Sequence, residues 1–147
     1  MSSGGGDSDS GNTGDTIVLG TKYANCTTVA NVKSVDANYA SVDIIDGVWT
    51  ESLKKLTKGT SLFYNCTNLA VFNSDLSSLT DGNSMFESCT ALTDFNCNLP
   101  VLSSAYEMFR DCDSLVTFNI QLPSLVDGRN CFFLCDNLTS FNSLFLF

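Results

Sequence analysis

The sequence predicts a repeat solenoid, with one short parallel β-strand per 23-residue coil and short helical or 3-10 turns on the opposite side. Three observations lead there. The string DGNSMFESCTALTDFN at residues 81–96 is written again as DGRNCFFLCDNLTSFN at residues 127–142. The same skeleton stands halfway between as AYEMFRDCDSLVTFN, from Ala105, and one step earlier as GTSLFYNCTNLAVFN, from Gly59. Columns therefore hold at a spacing of 23 with no insertion: Leu56, Leu79, Leu102, Leu125; Phe63, Phe86, Phe109, Phe132; Cys66, Cys89, Cys112, Cys135; Leu69, Leu92, Leu115, Leu138; and Phe72, Phe95, Phe118, Phe141. A fixed period of this kind marks an array in which one unit cannot bury its apolar face alone and its neighbours supply the cover.

Each element of a coil has its own reason. Between Asp113 and Phe133, the residues Leu115, Phe118 and Ile120 fit a strand frame. Alternation turns Phe118 and Ile120 inward and Thr117, Asn119 and Gln121 outward. Leu122-Pro123 ends the strand, because proline has no ladder donor and a fixed φ. Leu99-Pro100 does the same one coil earlier. Leu125 turns back into the interior. Asp127-Gly128 is a turn signal, with glycine supplying the backbone freedom. The segment from Phe132 to Cys135 follows on the opposite side as a short helical or 3-10 turn. Burying a Phe or Leu contributes roughly 1.5–3 kcal/mol, which offsets the ordering cost only where both faces of a coil are covered. A period of 23 lies in the leucine-rich-repeat range of about 20–29.

The ends depart from the pattern. Residues 1–15 are Gly, Ser, Asp, Asn and Thr with no apolar side chain after Met1, so a disordered tail is expected. It lacks the basic start and apolar stretch of a secretory signal. Residues 16–52 read as a degenerate first coil and an N-terminal cap. There Tyr23, Cys26 and Val29 copy the Phe-x-x-Cys-x-x-Leu skeleton, and YASVDIIDGVWT from Tyr39 adds a strand or two. Trp49 is read as a cover over the first core. Residues 53–147 carry four 23-residue repeats and finish on an apolar terminus, NSLFLF. Leu144, Phe145, Leu146 and Phe147 cannot all lie on one inward face, so they are expected to fold over the last coil or to meet another subunit, unless the natural chain continues.

Composition removes several function classes. A net charge of −9 gives no basic stripe to displace counterions, so no nucleic-acid partner is expected. Lys54, Lys55 and Lys58 read as a solvated edge. No apolar run approaches the ~18 residues that span a bilayer, so no membrane insertion is expected. Four of the seven cysteines share one column, which reads as small buried groups with free thiols. A disulfide between neighbouring coils is the alternative, since adjacent strands lie at about the Cα separation a disulfide needs. Cys131 and Cys135 make a lone spaced pair with no histidine anywhere in the chain, so no metal and no cofactor are expected. Three Asn-x-Thr matches, two of them straddling cysteines, read as coincidence. There is no histidine base, phosphate loop or nucleophile elbow, so no enzyme and no catalytic residue is expected.

The unit F-N-x-x-L-P-x-L-x-D-G-x-x-M-F-x-x-C-x-x-L, over about Leu53 to Leu144, resembles the BspA-like, or Treponema-type, leucine-rich repeat. The chain departs from that pattern in carrying Leu62, Met85, Met108 and Cys131 where the family often has Ala, and Phe where it often has Ile. These exchanges keep apolarity. The resemblance implies a curved, non-catalytic, leucine-rich-repeat-like solenoid used in binding and adhesion. It favours an extracellular, cell-surface or virion setting.

Function then falls to the strand face. Its outward positions include Asp94, Asn96 and Asn98 on one coil and Thr117, Asn119 and Gln121 on the next. These six are the expected contacts for a protein or glycan partner. The column Asn73, Asn96, Asn119 and Asn142 also reads as an amide ladder that holds the coils in register. The alternative function is a structural subunit of a virion or surface appendage, self-associating through Leu144, Phe145, Leu146 and Phe147.

Overall fold

The computed structural model describes residues 18–142, without the side chains of Ala40 and Ser41. The expected tail and the four-residue apolar terminus from Leu144 lie outside them. Two short helices, α1 (Val29–Val35) and α2 (Tyr39–Val42), precede five short strands. These are β1 (Val48–Trp49), β2 (Val71–Asn73), β3 (Asp94–Asn96), β4 (Thr117–Phe118) and β5 (Ser140–Phe141). The pairings between these strands are parallel: β1-β2-β3 form one sheet and β4-β5 a second. Val48 faces Val71, Val71 faces Asp94 and Thr117 faces Ser140, each one period on. Single bridges at Lys58, Asp81, Ser104 and Asp127 keep the same offset elsewhere in each unit. Successive units thus lie as rungs, one on the next.

Two columns of phenylalanine interlock inside the rungs. Phe63, Phe86, Phe109 and Phe132 stack nearly parallel at 5.4, 5.4 and 5.5 Å. Phe72, Phe95, Phe118 and Phe141 stack at 5.6, 6.1 and 5.9 Å. Rings of one column meet the other edge to face, at 4.7 Å for Phe72 and Phe86 and 5.0 Å for Phe95 and Phe109. Such pairs add about 0.5–1.5 kcal/mol each beyond simple burial.

The cysteine column is part of this framework. The Cys89 thiol donates to the Phe63 carbonyl (3.1 Å), Cys112 to Phe86 (3.2 Å) and Cys135 to Phe109 (2.9 Å). All seven cysteines are free thiols, and only Cys135 is incompletely buried. A cysteine fits here because it is small and apolar yet supplies one weak donor for a carbonyl of the rung before.

The side opposite the strands is not helical. Leu62, Tyr64 and Cys66 donate to the carbonyls of Gly59, Ser61 and Phe63, closing consecutive β-turns. Ser61 and Asn65 hold left-handed φ values of 57° and 61°, as do their equivalents Ser84 and Ser88, Glu107 and Asp111, and Asn130 and Leu134. The N–H groups of Gly59, Ser61, Phe63 and Asn65 point sideways, to the carbonyls of Asp81, Asn83, Met85 and Glu87. A helix would turn its N–H groups back onto its own chain. The alternating hand frees every second donor for the next rung, which keeps the interior satisfied.

Glycine serves a different purpose from the one its turn position suggests. Among the described glycines only Gly47 has positive φ. A Cβ at Gly59 would sit 2.8 Å from the Met85 sulfur, and one at Gly82 would sit 2.9 Å from that of Met108. The equivalent pair one period on is Ala105 and Cys131, so a larger residue on one rung goes with a smaller one on its neighbour. Gly82→Ala is therefore expected to cost about 1–3 kcal/mol. Met108→Cys in the same chain should restore most of that loss, as read by thermal denaturation of the single and double variants.

The first rung differs most from expectation. Thr28 bridges Lys58, an offset of 30, and Gly20 bridges Glu51. Cys26 donates to the Tyr23 carbonyl as Leu56 does to Leu53 and Leu79 to Leu76. Tyr23 and Cys26 thus hold the places of Leu53 and Leu56, and not those of Phe63 and Cys66. The added length carries α1, capped by Thr28 accepting from the Asn31 N–H at 3.2 Å, and α2. From α2 the Tyr39 hydroxyl donates to the Leu62 carbonyl, and its ring meets Phe63 edge-on at 5.9 Å. Asp46 and Gly47, both left-handed, make a tight turn between Ile45 and Val48. The segment from Tyr39 therefore supplies a helix, this turn and one strand. Trp49 is fully buried between Tyr23 and Phe72, with its indole N–H on the Glu51 carbonyl at 2.9 Å.

Candidate binding face

The side chains of Asp94, Asn96, Asn98, Thr117, Asn119 and Gln121 are all exposed. Alternation sets them on the solvent side while Phe95, Cys97 and Phe118 turn into the core. The asparagine ladder is present in one step: the Asn96 amide donates to Asn73 at 2.7 Å. Gln121 donates to the Asn142 carbonyl at 2.8 Å. Asn98 and Asn119 have no side-chain hydrogen-bond partner among the described residues.

Between β3 and β4 the strand side opens. Asn142 donates its N–H to the Phe118 carbonyl at 3.0 Å, but among the described residues no backbone bond joins β3 to β4. On the turn side the same two rungs remain closed, with Phe86 donating to Met108 and Ser88 to Arg110, both at 2.8 Å. The ring columns agree, since Phe95 and Phe118 stand 6.1 Å apart and 25° from parallel, against 5.4 Å and 4° for Phe86 and Phe109. The break coincides with a change of size. Ile120 stands one period after Cys97 and two after Ser74, both buried, yet its branched side chain is only partly covered. Pro100 and Pro123 offer no donor to draw the corner shut.

The opening is a crevice of about 430 Å³, with Asn98, Leu99 and Pro100 from one rung and Asn119, Ile120, Gln121 and Pro123 from the next. A second hollow of about 340 Å³ lies beside it, over Asp75, Asn96 and Cys97. Ser77 and Asn98 line both, so the two form one groove across three rungs. Of the six expected contacts, Asn96, Asn98, Asn119 and Gln121 meet in this groove, whereas Asp94 and Thr117 line neither part. The prolines, Leu99, Ser77 and Ile120 were not among the expected contacts. The Leu-Pro pairs read as strand exits, and their second role shows only when two rungs part.

Asp75 and Cys97 are the ionisable side chains among the described residues that line the groove. Beneath it, burial pushes the Cys97 thiol far above its ordinary value. Among the described residues no three metal-ligating side chains come together, and no helix is long and apolar enough to cross a membrane. Compared with family models, curated proteins and solved structures, the chain gives no match.

Proposed function

We propose that the chain is a BspA-like leucine-rich-repeat solenoid acting as a non-catalytic binding or adhesion module that engages a protein or glycan through its strand face. The observation that supports this best is the groove itself. It brings four of the outward polar positions, contributed by successive rungs, around one concavity. Amide and hydroxyl groups gather there, from Asn96, Asn98, Asn119, Gln121 and Ser77.

The test replaces Asp94, Asn96 and Asn119 together by Lys and measures capture of purified surface proteins and glycans. Capture is expected to fall at least about tenfold, the effect of roughly 1.4 kcal/mol. A turn-side pair, Tyr64→Lys with Val126→Lys, should leave it unchanged. Equal losses from both sets would refute the strand-face assignment. A second reading, a structural subunit of a virion or appendage, is supported by Phe133, Leu134 and Phe141, which stand exposed on the last described rung. Assembly on that basis would survive the three lysines and be lost in Phe133→Asp.

A further inference from the structure

We propose that the groove takes a neutral, equatorially linked glycan strand laid across the rungs; this rests on the strand-face reading above and narrows it. Four features of the groove lead to that class. Asn98 and Asn119 present amides with no partner among the described residues. Each amide offers two donors and an acceptor, which suits vicinal hydroxyls that both give and take hydrogen bonds. Leu99, Pro100, Ile120 and Pro123 supply aliphatic C–H surface beside those amides, matching a sugar ring with polar edges and apolar faces.

Charge sets the third condition. No cation lines either hollow, and Asp75 is part of the wall. With a net charge of −9 on the whole chain, sulfated and uronic polymers are repelled. Spacing sets the fourth. The wall groups recur once per rung, as Asp75, Asn98 and Gln121 and as Ser77, Pro100 and Pro123. Neighbouring strands lie about 4.8 Å apart. A polypeptide advances only about 3.1–3.4 Å per residue and drifts out of step with the wall. A chain of equatorially linked pyranoses advances by about one rung per sugar, so each rung meets one sugar, with successive sugars turning different edges to the wall.

The experiment is calorimetric titration of the purified chain with cello- and xylo-oligosaccharides, beside a sulfated glycan and a proline-rich peptide. Binding should require several linked sugars and should be absent for the sulfated polymer. Asn98→Ala and Asn119→Ala should each weaken it about three- to tenfold, the effect of one lost hydrogen bond. Ser77→Trp, which fills the shared part of the groove, should abolish it, with circular dichroism confirming that each variant is folded. If the peptide binds and the neutral sugars do not, the glycan assignment is overturned and the strand-face reading stands. If neutral sugars bind and no groove variant alters the affinity, both are overturned.

Discussion

Phe86→Ala is expected to lower stability by about 3–5 kcal/mol, the usual cost of a large aromatic truncated in a core that cannot collapse. Phe86 has no exposed surface. It stacks on Phe63 and Phe109 and meets Phe72 and Phe95 edge-on, so four rings lose a neighbour at once. Collapse is hindered because the stacked neighbours are pinned by backbone ladders on both flanks, where Phe63 donates to Met85 and Phe109 to Cys131, each at 2.8 Å. Domains of this size are stable by only about 5–15 kcal/mol, so the loss is a large fraction of the whole. Urea denaturation followed by far-ultraviolet circular dichroism reads it directly. Phe141→Ala is the control, since that ring is 41% exposed whereas Phe86 is fully covered. Its loss should be under half as large. If rungs couple only to their neighbours, the Phe86 variant should also unfold over a broader range, because the two halves of the stack are uncoupled at the cavity. Equal costs at positions 86 and 141 would contradict the interlocked columns.

What the chain displays openly in its sequence is whatever repeats at a constant interval. The strand register was legible because Phe72, Phe95, Phe118 and Phe141 recur without insertion. Trp49, one period before Phe72, belongs to the same column and pairs with it. It is hidden only because its residue type differs and because the rung before it is longer. That longer rung misled the alignment of Tyr23 and Cys26: a similar spacing of apolar residues fits two places in the repeat, and only hydrogen-bond register distinguishes them. The left-handed turn positions were not legible. They are filled by Ser, Asn, Asp, Glu and Leu, of which only Asn and Asp lean toward that conformation by nature. Sideways pairing to the next rung is what holds the others there, and no local signal announces it. The groove was half legible. Its polar positions follow from alternation, but the parting of β3 from β4 depends on how Ile120 fits a space that Ser74 and Cys97 fill with one heavy atom beyond Cβ.

Raising the pH is expected to unfold the protein between the ordinary thiol range and about pH 12, through the buried cysteines. Burial pushes the Cys89 and Cys131 thiols up to about 12 and the Cys66 thiol to about 11, against an ordinary value of 9.0. Cys97 and Cys112 shift in the same direction, Cys97 through burial and Cys112 through its hydrogen bond with Cys135 and burial. The folded values lie above the unfolded one, so the native state binds more protons across this interval. Stability is then intact below about pH 9 and is lost as the pH rises toward the folded values. Each thiol removes about 1.4 kcal/mol per pH unit, so Cys89 and Cys131 together remove about 3 kcal/mol per unit. Over the whole interval the two remove about 8 kcal/mol, a large part of a total of about 5–15 kcal/mol, and Cys66 adds to the loss. Geometry gives the same sign, because Cys89 and Cys112 donate protons to the carbonyls of Phe63 and Phe86. A thiolate has no proton to give and would set a full negative charge against a carbonyl oxygen in a dry interior. Urea titrations at a series of pH values measure the slope, and thiolate absorbance dates the ionisation. The Cys89→Ala variant should be less stable at neutral pH, by about 1–2 kcal/mol for the methyl-sized cavity and the lost donor, yet lose stability more slowly above pH 9. A stability that stays level through this interval, or a Cys89→Ala slope equal to that of the parent, would mean that the column is not buried as neutral thiols, and with it would go the account of why cysteine occupies that position in each of the four repeats.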